Sequence, residues 1–465
     1  MTEERRADTA AAGARRLVAG GSMLAGAMLV ANAGNYALNL FLGRVLTPAE
    51  FSDANLMVTL LFTLTSVALC LQMVAARFVA RADASGFPGD SDALVRRLRR
   101  LALWSGVLAA VALAAGSPLW SDLFRTASPW PFVVLAAGVP FWLVQAVGRG
   151  TLQARLAFPA LALSFVIEMI TRVGLGVVLV WAGFGVIGAT VALSVSFVVT
   201  CVVVSMVARA SGGAVSGTID PREVRAYAGM VSILLIGQII ANNSDILISK
   251  AVFPPADAGV YAAVALVGRA VFFLAWSVAT VVFPVAVRRH AAGQDASNVL
   301  RNGMVIVAAI GLVCAVGGFF WGGPVLGVVL GPAYAGLSVP IAAYALTTTL
   351  FALGNLVASY HLSRSRTRQS WILVGAAVLQ VILLLVWHRD MASLIAAQGV
   401  AMTVGHRFLP PLLRLDHVLT GGDIEVDSLR AVPGAGSDHA RLVAELGIPE
   451  PLRPDVSASG SFSPV

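Results

Sequence analysis

The chain has 465 residues, 58% of them hydrophobic and only 12% charged, with a mean hydropathy of +0.84. Soluble domains carry about 25% charged residues, so this composition excludes a soluble globular enzyme and describes an integral membrane protein. The formal charge of +8 comes mainly from arginine, but the arginines lie in loops between apolar spans, which argues against nucleic acid as a partner.

Residues 1–16 form a basic N-terminal segment with Arg5, Arg6, Arg15 and Arg16. The apolar run that follows, 17–42, is too long for a signal-peptide core and reads as a permanent span. A membrane helix needs roughly 20 mainly apolar residues. By that measure twelve spans are predicted: 17–42, 54–80, 101–118, 130–148, 159–181, 184–207, 226–250, 259–287, 302–321, 336–360, 371–387 and 391–412. The loops between them are too short to hold a domain. In the first span Asn32, Asn35 and Asn39 recur at three- and four-residue steps, a polar stripe that faces either other helices or a cavity. Arg44 closes the same helix, placed either to snorkel to headgroups or to meet a ligand.

Ionisable residues at membrane depth are costly and mark functional positions by default. In the fifth span Glu168 and Arg172 stand four apart on one helix face, so they either pair with each other or serve a ligand. Between the fifth and sixth spans, 183–188 fits G-x-G-x-x-G, but without a βαβ context it is a tight turn and no dinucleotide site. A polar linker, 208–225, divides the chain. The seventh span carries Asn242 and Asp245. Asp245 is placed to pair with Lys250, or to take up a cation or a coupling proton. Arg269, in the eighth span, has no acid at helical spacing, so its partner is another helix or a ligand. Gly20, Gly21, Gly34, Gly229 and Gly237 serve either as hinges or as close-packing points. Residues 413–465 are rich in Gly, Ser, Pro and Asp and are expected to form a disordered tail, with a short helix near His439–Leu446 as the one candidate element. Cys70, Cys201 and Cys314 lie far apart within apolar spans and form no metal or disulfide pattern.

Two patterns organise the spans. Taking the N-terminus as cytoplasmic, the outer segments hold only Arg44, Arg125, Lys250 and Arg389, and all other basic loops face inward. This alternation predicts twelve spans with both termini cytoplasmic, in the plasma membrane. The second pattern is a repeat. Thr47-Pro48-Ala49-Glu50-Phe51-Ser52 and Pro254-Pro255-Ala256-Asp257-Ala258-Gly259 lie 207 positions apart, and the same shift puts Asn35 on Asn242 and Arg81 on Arg288. Pro, then Ala, then an acid is good helix-start chemistry. The halves are 17–207 and 226–412, six spans each and parallel to one another.

The run from Asn39 to Phe51 (NLFLGRVLTPAEF), the run from Asn243 to Lys250 (NSDILISK), Ala258–Ala263 (AGVYAA), Gly268-Arg269 and Val281–Pro284 (VVFP) resemble the multidrug/oligosaccharidyl-lipid/polysaccharide (MOP) exporter superfamily, on its oligosaccharide flippase branch. The resemblance covers about residues 15–410. It implies an all-α membrane protein of two six-helix bundles around a central cavity, working by alternating access. It further implies a glycan carried on a polyprenyl pyrophosphate as substrate, with membrane lipids and polysaccharide assembly enzymes as partners. Arg172, Arg269, Arg44, Asn35, Asn39 and Asn242 are then the candidate substrate contacts, because the arginine fork matches phosphate oxygens. Glu168 and Asp245 are the candidates for coupling to H+ or Na+. No other cofactor is expected, and the absence of a Walker A motif argues against direct use of ATP. Competing readings are an ion-coupled multidrug exporter and a peptidoglycan-precursor flippase. A membrane glycosyltransferase, polymerase or ligase fits less well, since the short outer loops offer no catalytic cluster.

Overall fold

The computed structural model describes residues 2–84, 88–208, 219–291, 297–362, 368–407, 425–433 and 440–447. Residues Met1–Phe408 form one compact unit and Leu409–Val465 another. The first unit is helical throughout its described elements. Its first half contains α1 (Thr2–Val45), α2 (Pro48–Ala84), α3 (Pro88–Ala115), a short α4 (Ser117–Leu123), α5 (Trp130–Ala154), α6 (Phe158–Leu179) and α7 (Gly185–Val207). Its second half contains α8 (Pro221–Val252), α9 (Pro255–Ala291), α10 (Ser297–Gly317), a short α11 (Gly323–Val329), α12 (Ser338–Leu362), α13 (Arg368–Val386) and α14 (Met391–Arg407).

Each of the twelve predicted spans overlaps a helix of its own, though 101–118 and 302–321 run past the ends of α3 and α10, and 408–412 lie outside the described residues. By length and apolarity alone, eight described segments can cross a membrane. One of these, the 50-residue segment Phe158–Val207, holds two helices, because the chain turns back at Gly183 (φ 91°) and Gly185 (φ 50°). Only glycine adopts such backbone readily. The fingerprint-like sequence is therefore a turn, and α6 and α7 pack against each other on either side of it.

The order of helices in one half matches that in the other, and so do several lengths. Both α2 and α9 have 37 residues, α5 and α12 have 25, and α4 and α11 have 7. The packing matches too: α1 lies on α6 as α8 lies on α13, and α2 lies on α5 as α9 lies on α12. At the first copy of the repeated device, Glu50 Oε2 accepts from Thr47 N (3.0 Å) and Thr47 Oγ1 (2.8 Å), and Glu50 N donates back to Thr47 Oγ1 at 3.3 Å. This is a capping box, which satisfies orphan donors at the start of α2.

A large apolar core spans both halves at the end of the bundle where α1 meets α2. It joins Leu42 and Phe51 of the first half to Tyr261, Leu330, Tyr344 and Ile395 of the second. Away from that end, Val224, Tyr227 and Ala228 of the second half pack on Leu71, Val74 and Phe78 of the first, and other cores are local. Leu152, Leu161 and Val204 cluster in the first half, and Ala241, Phe272, Phe351 and Met402 in the second.

Three expectations need correction. The N-terminal segment is not separate from the first span: α1 begins at Thr2, where Glu, Arg and Ala favour continuing the helix. The linker is also shorter than 208–225, because α8 starts at Pro221 behind Asp220, whose Oδ1 accepts from Arg222 N at 2.8 Å; residues 209–218 lie outside the described residues. In the second unit, β1 (Glu425–Pro433) and β2 (Ala440–Gly447) pair antiparallel where disorder or a short helix is expected. Leu442, Ala444 and Leu446 alternate with Arg441 and Glu445, a strand period. A bulge between Val426 and Ser428 pairs Val426 with Leu446, and Leu429 then pairs with Ala444 and Ala431 with Leu442. The rest of the tail lies outside the described residues.

Candidate functional site

Two buried polar clusters lie at membrane depth, one within each half. In the first, Glu168 of α6 sits between two guanidinium groups. Arg149 Nη2 of α5 reaches Glu168 Oε2 at 2.7 Å, and Arg172 Nη2 meets Glu168 Oε1 from the next helical turn. Gln145 Nε2 also donates to Glu168 Oε2, at 3.1 Å. Arg149 is further fixed by Ser164, donating to its Oγ and its carbonyl at 3.1 Å each, and lies over the Phe165 ring. Arg172 donates to Asn35 Oδ1 of α1 at 3.2 Å and to Ser196 Oγ of α7 at 3.4 Å. The cluster thus ties α1, α5, α6 and α7 together. With two arginines and one carboxylate, it carries a surplus positive charge.

The second cluster is held by α8, α9 and α12. Asp245 is fully buried, and its Oδ2 accepts from Tyr261 Oη at 3.0 Å and Tyr344 Oη at 2.7 Å. Arg269 Nη2 donates to the Asn242 carbonyl at 2.9 Å and to Asn243 Oδ1 at 3.0 Å. Among the described residues Asp245 Oδ1 and Arg269 Nε have no hydrogen-bond partner, which is costly for buried polar atoms.

The geometry shows where each of these residues stands and what it meets. Glu168 and Arg172 do pair, but they share the site with Arg149, which the sequence places among the inner-loop arginines and which is 4% exposed within α5. Asn35 joins this cluster. Asn39 Nδ2 instead donates to the Asn35 carbonyl at 2.8 Å, an intrahelical bond. Asn242 takes part through its carbonyl. Asp245 does not pair with Lys250: Lys250 Nζ lies 2.6 Å from Asp53 Oδ1 and donates to Ser52 Oγ at 2.7 Å, both on α2. Arg44 stays exposed at the end of α1, beside Gly331, and joins neither cluster. Of the glycines, Gly20, Gly34 and Gly237 press against Phe158, Met169 and Val374, so close packing explains them. Among the described residues no group of His, Cys, Asp and Glu could hold a metal ion.

Comparison with known proteins gives this arrangement a context. No curated protein matches the sequence. Among solved structures, the fold is similar to an inward-facing multidrug resistance MATE family transporter of the MOP superfamily, with a TM-score of 0.70 and 15% identity over 81% of this chain and 92% of that one. It is also similar to the lipid II flippase MurJ in an inward closed conformation, with a TM-score of 0.65 and 14% identity over 81% of this chain and 85% of that one. An outward-facing MATE family transporter matches with a TM-score of 0.54 and 16% identity, over 84% and 93%. Residues 41–339 match the family model described as polysaccharide biosynthesis protein. That match spans well over half of the sequence. The chain therefore belongs to the polysaccharide biosynthesis protein family, and its fold is that of the MOP superfamily of membrane transporters.

Proposed function

We propose that this transporter is a flippase for an oligosaccharide linked to a polyprenyl pyrophosphate, carrying it across the plasma membrane for cell-surface polysaccharide assembly. Membership of a polysaccharide biosynthesis family supports the substrate class. The observation that carries the reading is the buried Arg149–Glu168–Arg172 cluster: its surplus positive charge suits an anionic headgroup, and a cationic drug would meet repulsion there. Arg269 supplies a second guanidinium from the other half. The arginine-rich loops face the cytoplasm, where the lipid-linked glycan is built. Asp245, resting on two tyrosine hydroxyls, is the assigned position for coupling to H+ or Na+.

Deleting the gene is expected to make lipid-linked glycan accumulate on the inner leaflet, read by extraction and leaflet-specific labelling. Arg172→Ala and Arg269→Ala, present in the membrane at wild-type level, are each expected to lower glycan export at least about tenfold, as loss of a charge-assisted contact of about 1.5–3 kcal/mol implies. A deletion strain that exports glycan normally but loses drug resistance overturns the reading in favour of a multidrug exporter.

A further inference from the structure

We infer that the buried ion pair between Asp53 of α2 and Lys250 of α8 is the outer gate of the transport path, closed in this structure. The inference rests on the chain being an alternating-access transporter with its arginine-rich loops inside; it does not depend on which substrate is carried. Asp53 belongs to the first half and Lys250 to the second. Their side chains are 7% and 2% exposed, and the pair measures 2.6 Å. Two further hydrogen bonds cross between the halves here, and one more holds Asp53 in place. Lys250 Nζ also donates to Ser52 Oγ at 2.7 Å, and Asp53 Oδ2 accepts from Ala127 N at 3.1 Å. Ala127 lies in the loop after α4. From the same loop, Arg125, held at φ 49°, donates from Nη1 to the Val252 carbonyl at the end of α8, at 3.0 Å.

The two copies of the repeated device meet at this end as well. Gly259, from the second copy, lies so close to the Pro48 carbonyl of the first that a Cβ there has no room. The Pro-Ala-acid device therefore starts two helices and also brings their starts together. The opposite end of the α2–α8 seam is different. There Arg81 and Glu223 pair at 2.7 Å with side chains 61% and 40% exposed, a screened contact of small worth. One end of the seam thus holds a buried ion pair and the other an exposed one, beside the packed rings of Phe78 and Tyr227.

A dry pair is a two-state element. While water is excluded, separating Asp53 from Lys250 leaves two buried charges without a counterion, so the closed state resists small displacements. Once the halves part and water enters, both charges are solvated and little favours re-pairing. Such an element biases a rigid-body equilibrium instead of deforming gradually.

The test uses the full-length protein in intact cells, with Cys70→Ala, Cys201→Ala and Cys314→Ala. A reporter, Ala262→Cys, stands three residues beyond Gly259 on α9 and is buried. Labelling by a membrane-impermeant maleimide reads how often the outer side opens. Asp53→Asn and Lys250→Met are each expected to speed labelling about tenfold, equivalent to shifting the open–closed balance by about 1.4 kcal/mol. Either single change leaves one buried charge behind, so the double variant Asp53→Asn/Lys250→Met, which leaves none, decides the matter if a single variant misfolds. The conservative Lys250→Arg is expected to keep labelling slow. Wild-type labelling in the double variant, at wild-type protein level, overturns the gate. Glycan export is not read, so a wrong substrate assignment leaves the outcome intact.

Discussion

Arg149 shows how a residue's role depends on what the fold sets beside it. It follows the predicted span 130–148, and its own helix offers no acid at helical spacing, so on sequence alone it reads as a loop arginine. Its partner Glu168 is 19 positions away, on α6. The pair Glu168–Arg172 was readable, because a four-residue step puts both on one helix face. Of the two readings of Asp245, the pairing with Lys250 fails for the same geometric reason in reverse. Five residues along an α-helix turn about 140° past a full turn, so Lys250 points at α2 while Asp245 points at Tyr261 and Tyr344. The central position of Glu168 carries a prediction. Glu168→Ala leaves two buried guanidiniums without their shared counterion, and breaking a buried ion pair this way costs about 3–5 kcal/mol. A clear fall in the melting temperature of the detergent-purified protein is expected; an unchanged value would mean that the cluster does not hold its four helices together.

At the scale of elements, helix starts and turns were legible because they depend on local chemistry. The Thr47–Glu50 capping box and the Gly183–Gly185 turn follow from four to six residues each. Close approaches between helices were not, since they depend on which distant backbone arrives at a glycine. At Gly259 that backbone is Pro48, and at Gly150 it is the Gln72 carbonyl. Gly21, by contrast, has open space where a Cβ would stand. Gly259→Ala is therefore expected to force α2 and α9 apart and destabilise the protein by about 1–3 kcal/mol, the usual cost of overpacking. Gly21→Ala is expected to be neutral or to stabilise by about 0.5–1 kcal/mol, as in other helix interiors. Thermal melts of the two variants side by side check the contrast, and equal shifts would contradict it.

At the scale of the whole molecule, the helical body and the segment after it are separate units. Truncation after Phe408 is expected to leave membrane insertion and the melting temperature of the body unchanged; a lowered melting temperature would mean that the tail contributes to the fold. The sequence by itself determined the membrane class, the all-helical body and many of the positions where its helices start, because apolar length, period and capping are local properties. It also picked out Glu168, Arg172, Asp245 and Arg269 within apolar spans, but not the buried Arg149, Asp53 and Lys250. Only the tertiary structure decided their partners: Arg149 and Asn35 with the Glu168–Arg172 pair, two tyrosines with Asp245, and Asp53 with Lys250. The reason is physical. A buried charge must find compensation, but helix periodicity specifies only the direction in which it points, and packing between distant helices decides what it meets.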